Sequence, residues 1–369
     1  MKAAVLYEQG KPIEVVDDVE IIEPRAGEIR VNVAYCSLCH SDYSVISGAM
    51  GPLPGPIIVG HEAAGVVESV GPGVRHLAVG DHVVLTPVPP CGTCYYCQRG
   101  DHSLCTNGQS IMTNRLHDGV TGLSRQGAEI LKGVGVASLA EQVVCPSTGA
   151  IKIPKDIPLD VACVVGCAMQ TGVGAVLNTA DVEAGATILV LGLGGIGLAT
   201  VQGAKLASAS KVIVSDPLPE RRDLAMRLGA THTIDPNAED VVAVCMALTD
   251  NIGVDYAFET AGLAVLIEQG IQASRAGGMT VCVGAPPIEQ GVKIDNVVIF
   301  TSMEKKLCGC LLGSCNSTYD IPRMMSAYQN EQLDLASMVG RTRPLEEINE
   351  AFDDLHHGRE IRTVMKIGA

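Results

Sequence analysis

Four cysteines stand within fifteen residues of each other, and their spacing suits a metal ion. The segment CGTCYYCQRGDHSLC carries Cys91, Cys94, Cys97 and Cys105 in the pattern C-x2-C-x2-C-x7-C. Two-residue gaps let a tight loop present several thiolates to one ion, and four thiolates close a tetrahedral zinc site without an open position. An iron–sulfur cluster is the alternative, but the spacing differs from the ferredoxin patterns. The segment therefore predicts a structural zinc site.

Three separated residues could form a second metal site of a different kind. Cys39, His61 and Cys167 offer two thiolates and one imidazole, which leaves a fourth position for water or substrate, as catalytic zinc requires. Taken singly each is a weak signal, because a buried cysteine is most often a small hydrophobic residue. Asp42 and Glu62 stand beside these candidates, and either could accept the free ring N–H of His61 and fix its tautomer.

A glycine-rich segment predicts a dinucleotide site. The sequence GLGGIG at 192–197 follows the apolar run 187–191 and precedes a helical pattern. In that context the glycines permit a tight turn and a close approach of the backbone to a pyrophosphate at the helix N-terminus. The residues that we expect to contact the cofactor here are Gly192, Gly194, Gly195, Ile196 and Gly197.

The acidic residue expected on the adenosine ribose is Asp216, which ends the next apolar run at 212–215. A carboxylate there binds the ribose hydroxyls and repels a 2′-phosphate, so the sequence favours NAD over NADP. Arg221 and Arg222 follow closely. They either weaken that preference as further cofactor contacts or form the solvated start of a helix.

The surrounding elements predict two domains. Up to about residue 85, short apolar runs separated by Gly and Pro indicate a compact, barrel-like β domain. From about residue 161, strands alternate with helices, which indicates a parallel sheet. Helices at 321–330 and 345–358 and a strand at 362–367 should return to the first domain. We therefore predict one domain from 1–162 and 300–369 and another from 163–299.

Charge and composition limit the classes of partner and the cellular location that we expect. The formal net charge is −15, and such a surface repels phosphate backbones and anionic lipid, so we expect neither nucleic acid nor a membrane as a partner. The uncharged stretches 161–180 and 186–204 approach the length of a membrane span but are rich in Gly, Thr and amides, and we expect neither to cross a membrane. The residues at 1–9 are too short for an export signal. With 14 cysteines and no such signal, we expect metal ligands rather than disulfides, and a cytoplasmic protein.

These motifs, in this order, resemble those of the zinc-dependent medium-chain alcohol dehydrogenases along nearly the whole chain. The matching segments include Cys39-His40-Ser41-Asp42, the run GHEAAGVVESVG at 60–71, Gly166-Cys167 and the glycine-rich loop. The resemblance implies a GroES-like β-barrel catalytic domain with a Rossmann doubly wound parallel-sheet domain. It also implies that Cys39, His61 and Cys167 hold the catalytic zinc, and that Glu62 can approach the metal when a ligand leaves. The implied reaction is reversible hydride transfer between an alcohol and NAD.

The resemblance also implies further cofactor contacts. His40 and Arg362 match positions that touch the pyrophosphate, and Thr171 and Val283 match positions near the nicotinamide. Thr260 matches a position that borders the adenosine half and the nicotinamide ribose.

The resemblance gives less information about how the proton leaves the site and about the substrate pocket. Ser41 matches the hydroxyl beside the metal, but Ser44 stands where many family members place a histidine that passes the proton to solvent. The proton route is therefore altered in this chain. Pro87, Ala285 and Leu311 match pocket positions and suggest an aliphatic, roomy pocket.

Two other functions stay open at the level of the sequence. The long segment 108–140 fits a thiol-adduct formaldehyde dehydrogenase, although Gln109 stands where glutathione-dependent members carry an arginine. A non-catalytic nucleotide-binding module is the second, and loss of a zinc ligand would be its signature. By resemblance we also expect a homodimer that pairs through the cofactor domain, with 277–287 and 297–300 compatible with an edge strand. The eight other cysteines, including Cys308 and Cys310, should pack as small hydrophobic residues.

Overall fold

The computed structural model describes residues 1–368, which form two compact units. We call residues 1–168 with 316–368 the β-rich unit, and residues 169–315 the parallel-sheet unit. The predicted boundaries at 162/163 and 299/300 lie earlier than the observed ones. The first boundary is later because the 3-10 helix Cys163–Gly166 packs on strands of the β-rich unit. The second is later because the strand Lys306–Gly309 joins the parallel sheet.

The β-rich unit is built on a seven-stranded sheet of mostly antiparallel pairs. Its central strand is Glu28–Ser37, in which seven of the ten residues are buried. Smaller sheets surround it, among them the parallel pair Ile57–Ile58 and Leu131–Lys132. The strands of the large sheet are Glu28–Ser37, Glu62–Val70, His82–Leu85, Gln142–Pro146, Ala150–Lys152, Arg341–Pro344 and Thr363–Lys366. The other short strands are Ala3–Val5, Glu14–Val16, Glu20–Ile21, Leu123–Arg125 and Ala128–Glu129.

The helices of the β-rich unit range from four residues in Ser110–Thr113 to 13 in Ser317–Gln329. The most important for the site is His40–Ser47, which ends at Gly48 in the left-handed conformation that glycine favours at a helix C-terminus. The C-terminal helices and the final strand return to this unit, as predicted. The helices are His40–Ser47, Tyr95–Arg99, Ser110–Thr113, Leu159–Ala162, Ser317–Gln329 and Ile348–His356.

The parallel-sheet unit confirms the predicted alternation of strands and helices. All five strand pairs are parallel, and the spatial order of the six strands, taken in chain order, is 3-2-1-4-5-6, the doubly wound arrangement. In Thr187–Leu191 the four residues after Thr187 are apolar and buried, as expected where helices cover both faces of a parallel sheet. The strands are Thr187–Leu191, Lys211–Ser215, His232–Ile234, Val254–Glu259, Ser274–Cys282 and Lys306–Gly309.

One helix of this unit precedes the first strand, and the others lie between strands. They are Ala168–Gly174, Gly195–Leu206, Pro219–Leu228, Val241–Leu248, Ala264–Ala273 and Val297–Ser302. The segment 297–300, considered above as part of an edge strand, is helical. Asn296 caps this helix by accepting a hydrogen bond from the amide of Ile299 at 3.1 Å, and the cap decides the conformation against the strand preference of Val and Ile. The edge strand is instead Lys306–Gly309.

In the part of the chain that the structure describes, no single helix has the length and apolar character needed to cross a membrane. One bent pair of helices, Leu159–Gly166 with Ala168–Thr179, has that length and composition.

Candidate active site and metal centres

The four cysteines of the segment 91–105 converge, as their spacing predicts. Their Sγ atoms all lie within 4.8 Å of one another. Backbone amides point at the sulfurs: those of Thr93 and Cys94 lie 3.4 and 3.3 Å from Cys91 Sγ, and that of Cys97 lies 3.5 Å from Cys94 Sγ. Amide hydrogen bonds favour thiolates over thiols, and those from Cys97 and Thr106 lower the pKa of Cys94 to about 5. We call this segment the cysteine lobe; its donor set fits a closed tetrahedral zinc site.

A second group of donors meets inside the β-rich unit. The ligand atoms of Cys39, His61, Glu62 and Cys167 lie within 4.8 Å of one another, and all four residues are buried. Cys39 lies between the central strand and the helix His40–Ser47, and His61 directly precedes the strand Glu62–Val70. Cys167 follows the 3-10 helix Cys163–Gly166. The sheet therefore gathers residues that are far apart in sequence, and we call this group the buried donor cluster.

Asp42 is the carboxylate that orients His61. Its side chain is completely buried, and its Oδ1 lies 3.0 Å from Nδ1 of His61 and accepts the amide of Gly60 at 2.8 Å. Its Oδ2 accepts the amide of Cys39 at 3.3 Å. One carboxylate thus holds the backbone around two candidate ligands and engages Nδ1 of the imidazole, which leaves Nε2 as the nitrogen for a metal.

Glu62, the other carboxylate considered as a partner of His61, binds Arg362 instead. The Arg362 Nη2 atom donates to both carboxylate oxygens, at 2.5 and 2.7 Å. Both side chains are buried. Burial raises the pKa of Glu62 to about 8, against the opposing effect of Arg362. The structure thus places Arg362 against the buried donor cluster.

The charges in the cluster favour a cation. A hydrogen bond with Cys167 and the charge of His61 hold the pKa of Cys39 well below its usual range, against the effect of burial. Burial by itself would lower the pKa of His61, but the charges of Asp42 and Cys39 raise it well above its usual value. The site therefore gathers negative charge around the imidazole, and two sulfurs with one imidazole nitrogen are ligands that zinc accepts.

The residues predicted beside the cluster lie at the start of one helix. The hydroxyl of Ser41 is 3.8 Å from Cys39 Sγ, so it lies beside the candidate metal position. His40 and Ser44 belong to the same helix, one residue before and three residues after Ser41. Ser44 holds the helix end through its carbonyl, which accepts from the hydroxyl of Ser47 at 3.4 Å.

In the parallel-sheet unit, the glycine-rich segment forms the predicted turn between strand and helix. The strand Thr187–Leu191 leads into the loop, and Gly194 is the N-cap of the helix Gly195–Leu206. Gly197 must be glycine because a Cβ atom there would lie 2.0 Å from the carbonyl oxygen of Gly192. Free amides at the start of this helix suit the pyrophosphate of a dinucleotide.

Asp216 is fixed beside this loop. Its Oδ2 accepts the amide of Leu193 at 2.8 Å, and its Oδ1 accepts the amide of Leu218 at 2.9 Å. Arg222 donates to the Asp216 carbonyl at 2.6 Å and to Asp235 at 3.2 Å. Arg221 Nη1 lies 3.9 Å from Asp216 Oδ2. The structure thus brings together the loop, the acidic residue and both arginines that the sequence singled out.

The other residues predicted near the cofactor in this unit lie around the carboxyl ends of the strands. Thr260 donates its hydroxyl to the carbonyls of Leu191 and Gly192, at 3.1 and 2.8 Å. The amide of Val283 bonds the carbonyl of Glu259 at 2.9 Å. Thr171 lies in the helix Ala168–Gly174, which packs closely on the helix after the glycine-rich loop.

Glu259 is a residue of this region that the sequence reasoning missed. It ends the strand Val254–Glu259 and is completely buried. Its Oε1 accepts the amides of Ala261, Gly262 and Leu263 at 2.8, 2.7 and 3.2 Å, and its Oε2 is buried without a hydrogen-bond partner in the described residues. An acidic residue that closes a central apolar strand of a doubly wound sheet is a readable signal, because ligands bind at that edge.

Comparison with known proteins agrees with this geometry. Residues 25–155 match the alcohol dehydrogenase GroES-like domain, and residues 195–330 match the zinc-binding dehydrogenase family. An alcohol dehydrogenase zinc-binding domain protein from Burkholderia ambifaria is 34% identical with a TM-score of 0.94, over 100% of this chain and 99% of its own. Benzyl alcohol dehydrogenase from Acinetobacter calcoaceticus is 30% identical with a TM-score of 0.93, over 100% and 99%. The chain belongs to the zinc-dependent alcohol dehydrogenase family.

Membership of the zinc-dependent alcohol dehydrogenases confirms the resemblance and the predicted fold class, a GroES-like domain with a Rossmann-type parallel sheet. It also makes the protein an oxidoreductase, and its structural relatives include an NAD-dependent alcohol dehydrogenase, 27% identical with a TM-score of 0.82 over 100% of both chains. Another is a putative zinc-binding dehydrogenase from Sinorhizobium meliloti 1021 bound to NADP, which is 28% identical with a TM-score of 0.79, over 99% of this chain and 98% of its own.

Proposed function

We propose that this alcohol dehydrogenase transfers hydride reversibly between a primary or secondary alcohol and NAD, giving an aldehyde or ketone. The observation that carries the proposal is the buried donor cluster, in which Cys39, His61 and Cys167 bring their ligand atoms within 4.8 Å of one another. A module that had lost catalysis would not need this set intact. The retained ligands therefore favour an enzyme over a non-catalytic nucleotide-binding protein.

The cluster fits zinc by its chemistry and its charge. Two thiolates, an imidazole and an open fourth position form the donor set of catalytic zinc in alcohol dehydrogenases. A zinc ion held there supplies Lewis-acid stabilisation of the negative charge that develops on an alcohol oxygen. Because Arg362 binds both oxygens of Glu62, we propose that Glu62 serves as a reserve ligand rather than a permanent one. The cysteine lobe would hold a second, structural zinc.

Ser41 is the residue that we propose to receive the proton of the alcohol. Its hydroxyl lies beside Cys39 Sγ, and a hydroxyl can accept one proton while it donates another. The helix His40–Ser47 carries Ser44 rather than histidine one turn further on. The onward route therefore runs through Ser44, water or another group, and it need not titrate near neutral pH as a histidine would.

NAD is the proposed cofactor because Asp216 presents a fixed carboxylate. Each of its two carboxylate oxygens accepts a hydrogen bond from a backbone amide. The negative charge is therefore held in place, where it would repel the 2′-phosphate of NADP. The nearby arginines are engaged by carboxylates: Arg222 by Asp235, and Arg221 by Asp216 itself. One relative binds NADP, so the preference of this protein for NAD over NADP has to be measured. The fixed carboxylate of Asp216 and the two engaged arginines support NAD.

The substrate class is proposed from residue types and from one relative. Pro87, Ala285 and Leu311 are aliphatic at positions that match the family's pocket, and the 30% identical relative is a benzyl alcohol dehydrogenase. We therefore propose medium-sized aliphatic and aromatic alcohols. Gln109 lies in the 3-10 helix Thr106–Gln109 of the lobe region and is neutral, so it offers no ion pair to the carboxylate of a glutathione adduct.

A homodimer is proposed from the edge of the parallel sheet. The strand Lys306–Gly309 pairs on one side only among the described strands. Its neighbourhood exposes large apolar side chains, with Ile288 81%, Val298 76% and Leu307 40% exposed. An unpaired strand edge beside exposed apolar residues is a template for pairing with another chain, and a second copy of this chain satisfies both features.

The cytoplasm is the proposed location. None of the fourteen cysteines forms a disulfide in the structure. So many cysteines without a disulfide fit a reducing compartment, where closely spaced cysteines serve as metal ligands.

Initial rates with a panel of alcohols and with NAD or NADP test the proposed function. The purified holoenzyme should reduce NAD with primary or secondary alcohols, followed by the absorbance of the reduced nicotinamide. Benzyl alcohol and medium-chain aliphatic alcohols should be better substrates than ethanol, and S-hydroxymethylglutathione should be a poor one. No turnover with any alcohol, in protein that retains zinc at both sites, would refute the proposal.

A further inference from the structure

Lys132 is buried in the apolar core of the β-rich unit, an unfavourable environment for an ammonium group. It is among the largest fully buried side chains, with 1% of its surface exposed. Among the described residues, its Nζ atom donates one hydrogen bond, to the carbonyl of Val136 at 2.9 Å. The residues before and after it, Leu131 and Val134, belong to the apolar core of the β-rich unit. Burying a charge with a single neutral partner is unfavourable, so stability alone does not account for a lysine here.

The bond from Lys132 to Val136 closes a strained turn. Val134 within the turn has φ +52° and Ala137 directly after it has φ +62°, a conformation that residues other than glycine rarely adopt. Asn114 supports the turn from outside, since its carbonyl accepts the amide of Lys132 at 2.8 Å and its Oδ1 accepts the amide of Val134 at 3.1 Å. Strain of this kind persists where the surroundings hold it and is found near functional sites.

The turn clasps the segment that leads to His61. On one side, Leu131 and Lys132 pair in parallel with Ile57 and Ile58. On the other side, after the turn, the amide of Ser138 bonds the carbonyl of Gly60 at 2.9 Å. We call residues 131–139 the clasp.

Gly60 connects the clasp to the metal site. It has φ +95°, and a Cβ atom there would lie 2.8 Å from the amide nitrogen of Leu139. Its carbonyl is held by the clasp through Ser138, and its amide is held by Asp42 at 2.8 Å. The residue just before His61 is therefore fixed between the clasp and the carboxylate that orients the imidazole.

We propose that Lys132 is a positioning residue for the metal centre: by closing the clasp on residues 57–60, it fixes His61 against Asp42 and so slows the loss of zinc from the buried donor cluster. The inference rests on the proposed function, because it assumes that this cluster holds zinc. It assigns Lys132 no contact with substrate or cofactor.

The test compares zinc release from Lys132→Met with that from a matched control. Methionine keeps the length and the apolar stem of the side chain but cannot donate to Val136. The control is Lys305→Met in the parallel-sheet unit, where the ammonium also bonds backbone carbonyls, those of Ile271 and Gln272 at 2.6 and 3.3 Å. Release is followed with a chromogenic chelator, and the cysteine lobe provides an internal reference within each protein.

Lys132→Met should release the zinc of the buried donor cluster about 10-fold faster than the wild type, which corresponds to the lower end of the affinity loss found for residues that support metal ligands. The zinc of the cysteine lobe and both zincs of Lys305→Met should leave at the wild-type rate. The melting temperature of Lys132→Met should stay at or above that of the wild type, because a buried charge has been removed. Hydrogen exchange at the amide of Ser138 should accelerate.

Two results would overturn the proposal. One is wild-type zinc release from a folded Lys132→Met; the other is a lower melting temperature with both zincs loosened together, which would indicate a general structural role. Lys132→Gln, which retains a donor, should recover part of the zinc retention and provides the comparison if the methionine variant does not fold. A wild-type protein with zinc only in the lobe would instead refute the proposed function.

Discussion

Replacing Asp42 by asparagine removes a charge from the centre of the hydrogen-bond network around His61. The side chain accepts three N–H groups, those of Gly60, His61 and Cys39. An asparagine has one acceptor oxygen and one amino group. If its oxygen stays on Gly60 and His61, its amino group faces the amide of Cys39, and two buried donors meet without an acceptor.

The expected losses of zinc affinity and of stability follow from the number of N–H groups that lose their acceptor. Removing the partner that orients a ligating histidine typically weakens metal binding 10- to 100-fold, which corresponds to about 1.4–2.7 kcal/mol. The unsatisfied donor at Cys39 should lower the free energy of unfolding by about 1–3 kcal/mol. The Asp42→Asn variant should therefore fold and lose zinc from the buried donor cluster selectively.

Competition with a zinc chelator measures the first quantity, and chemical denaturation measures the second. Asp81→Asn is the matched control, since Asp81 is also a buried aspartate of the β-rich unit and accepts the amide of Ala78 at 3.0 Å and the ammonium of Lys152 at 2.7 Å. It should lose stability but no zinc. Wild-type zinc affinity and turnover in Asp42→Asn would refute the role assigned to Asp42.

Three further predictions concern the lobe, the cofactor and the buried lysine. Cys97→Ser should lose the lobe zinc and make the lobe sensitive to protease, while NAD-dependent turnover persists; loss of the other zinc instead would contradict two independent sites. Asp216→Gly should raise the kcat/KM ratio of NADP to NAD at least about 10-fold, because the carboxylate that repels the 2′-phosphate is gone; an unchanged ratio would count against this role. Burial lowers the pKa of Lys132 from 10.5 to about 8, against the opposing charge of Glu28, so the folded state disfavours the ammonium by about 3 kcal/mol below pH 8, and this penalty vanishes as the pH rises towards 10.5. The gain in unfolding free energy from Lys132→Met should follow that curve, and a gain that does not change with pH would contradict it.

The sequence was most informative where chemistry is local. The cysteine lobe and the glycine-rich loop are encoded within short segments, and both have the predicted geometry. Asp216 could be found because it ends the strand that follows the loop. In each case the spacing along one chain segment sets the geometry, so no knowledge of distant contacts is needed.

Contacts between distant segments could not be predicted in this way. Both Asp42 and Glu62 were candidates to orient His61, and only the folded sheet shows that Glu62 turns to Arg362, 300 residues away. Lys132 gives no signal in sequence because its burial depends on the surrounding core. The segment 297–300 was misjudged because its Val and Ile favour a strand, although Asn296 is a readable helix cap.

The most direct test of two metal centres with different roles is the zinc content of Cys167→Ala beside that of the wild type, with NAD binding and turnover measured on the same samples. The wild type should contain two zinc ions per chain, one for each donor group. The variant should contain one, bind NAD normally and fail to oxidise alcohols. A variant that keeps both zinc ions, or that oxidises alcohols at the wild-type rate, would contradict the assignment of the buried donor cluster as the catalytic centre.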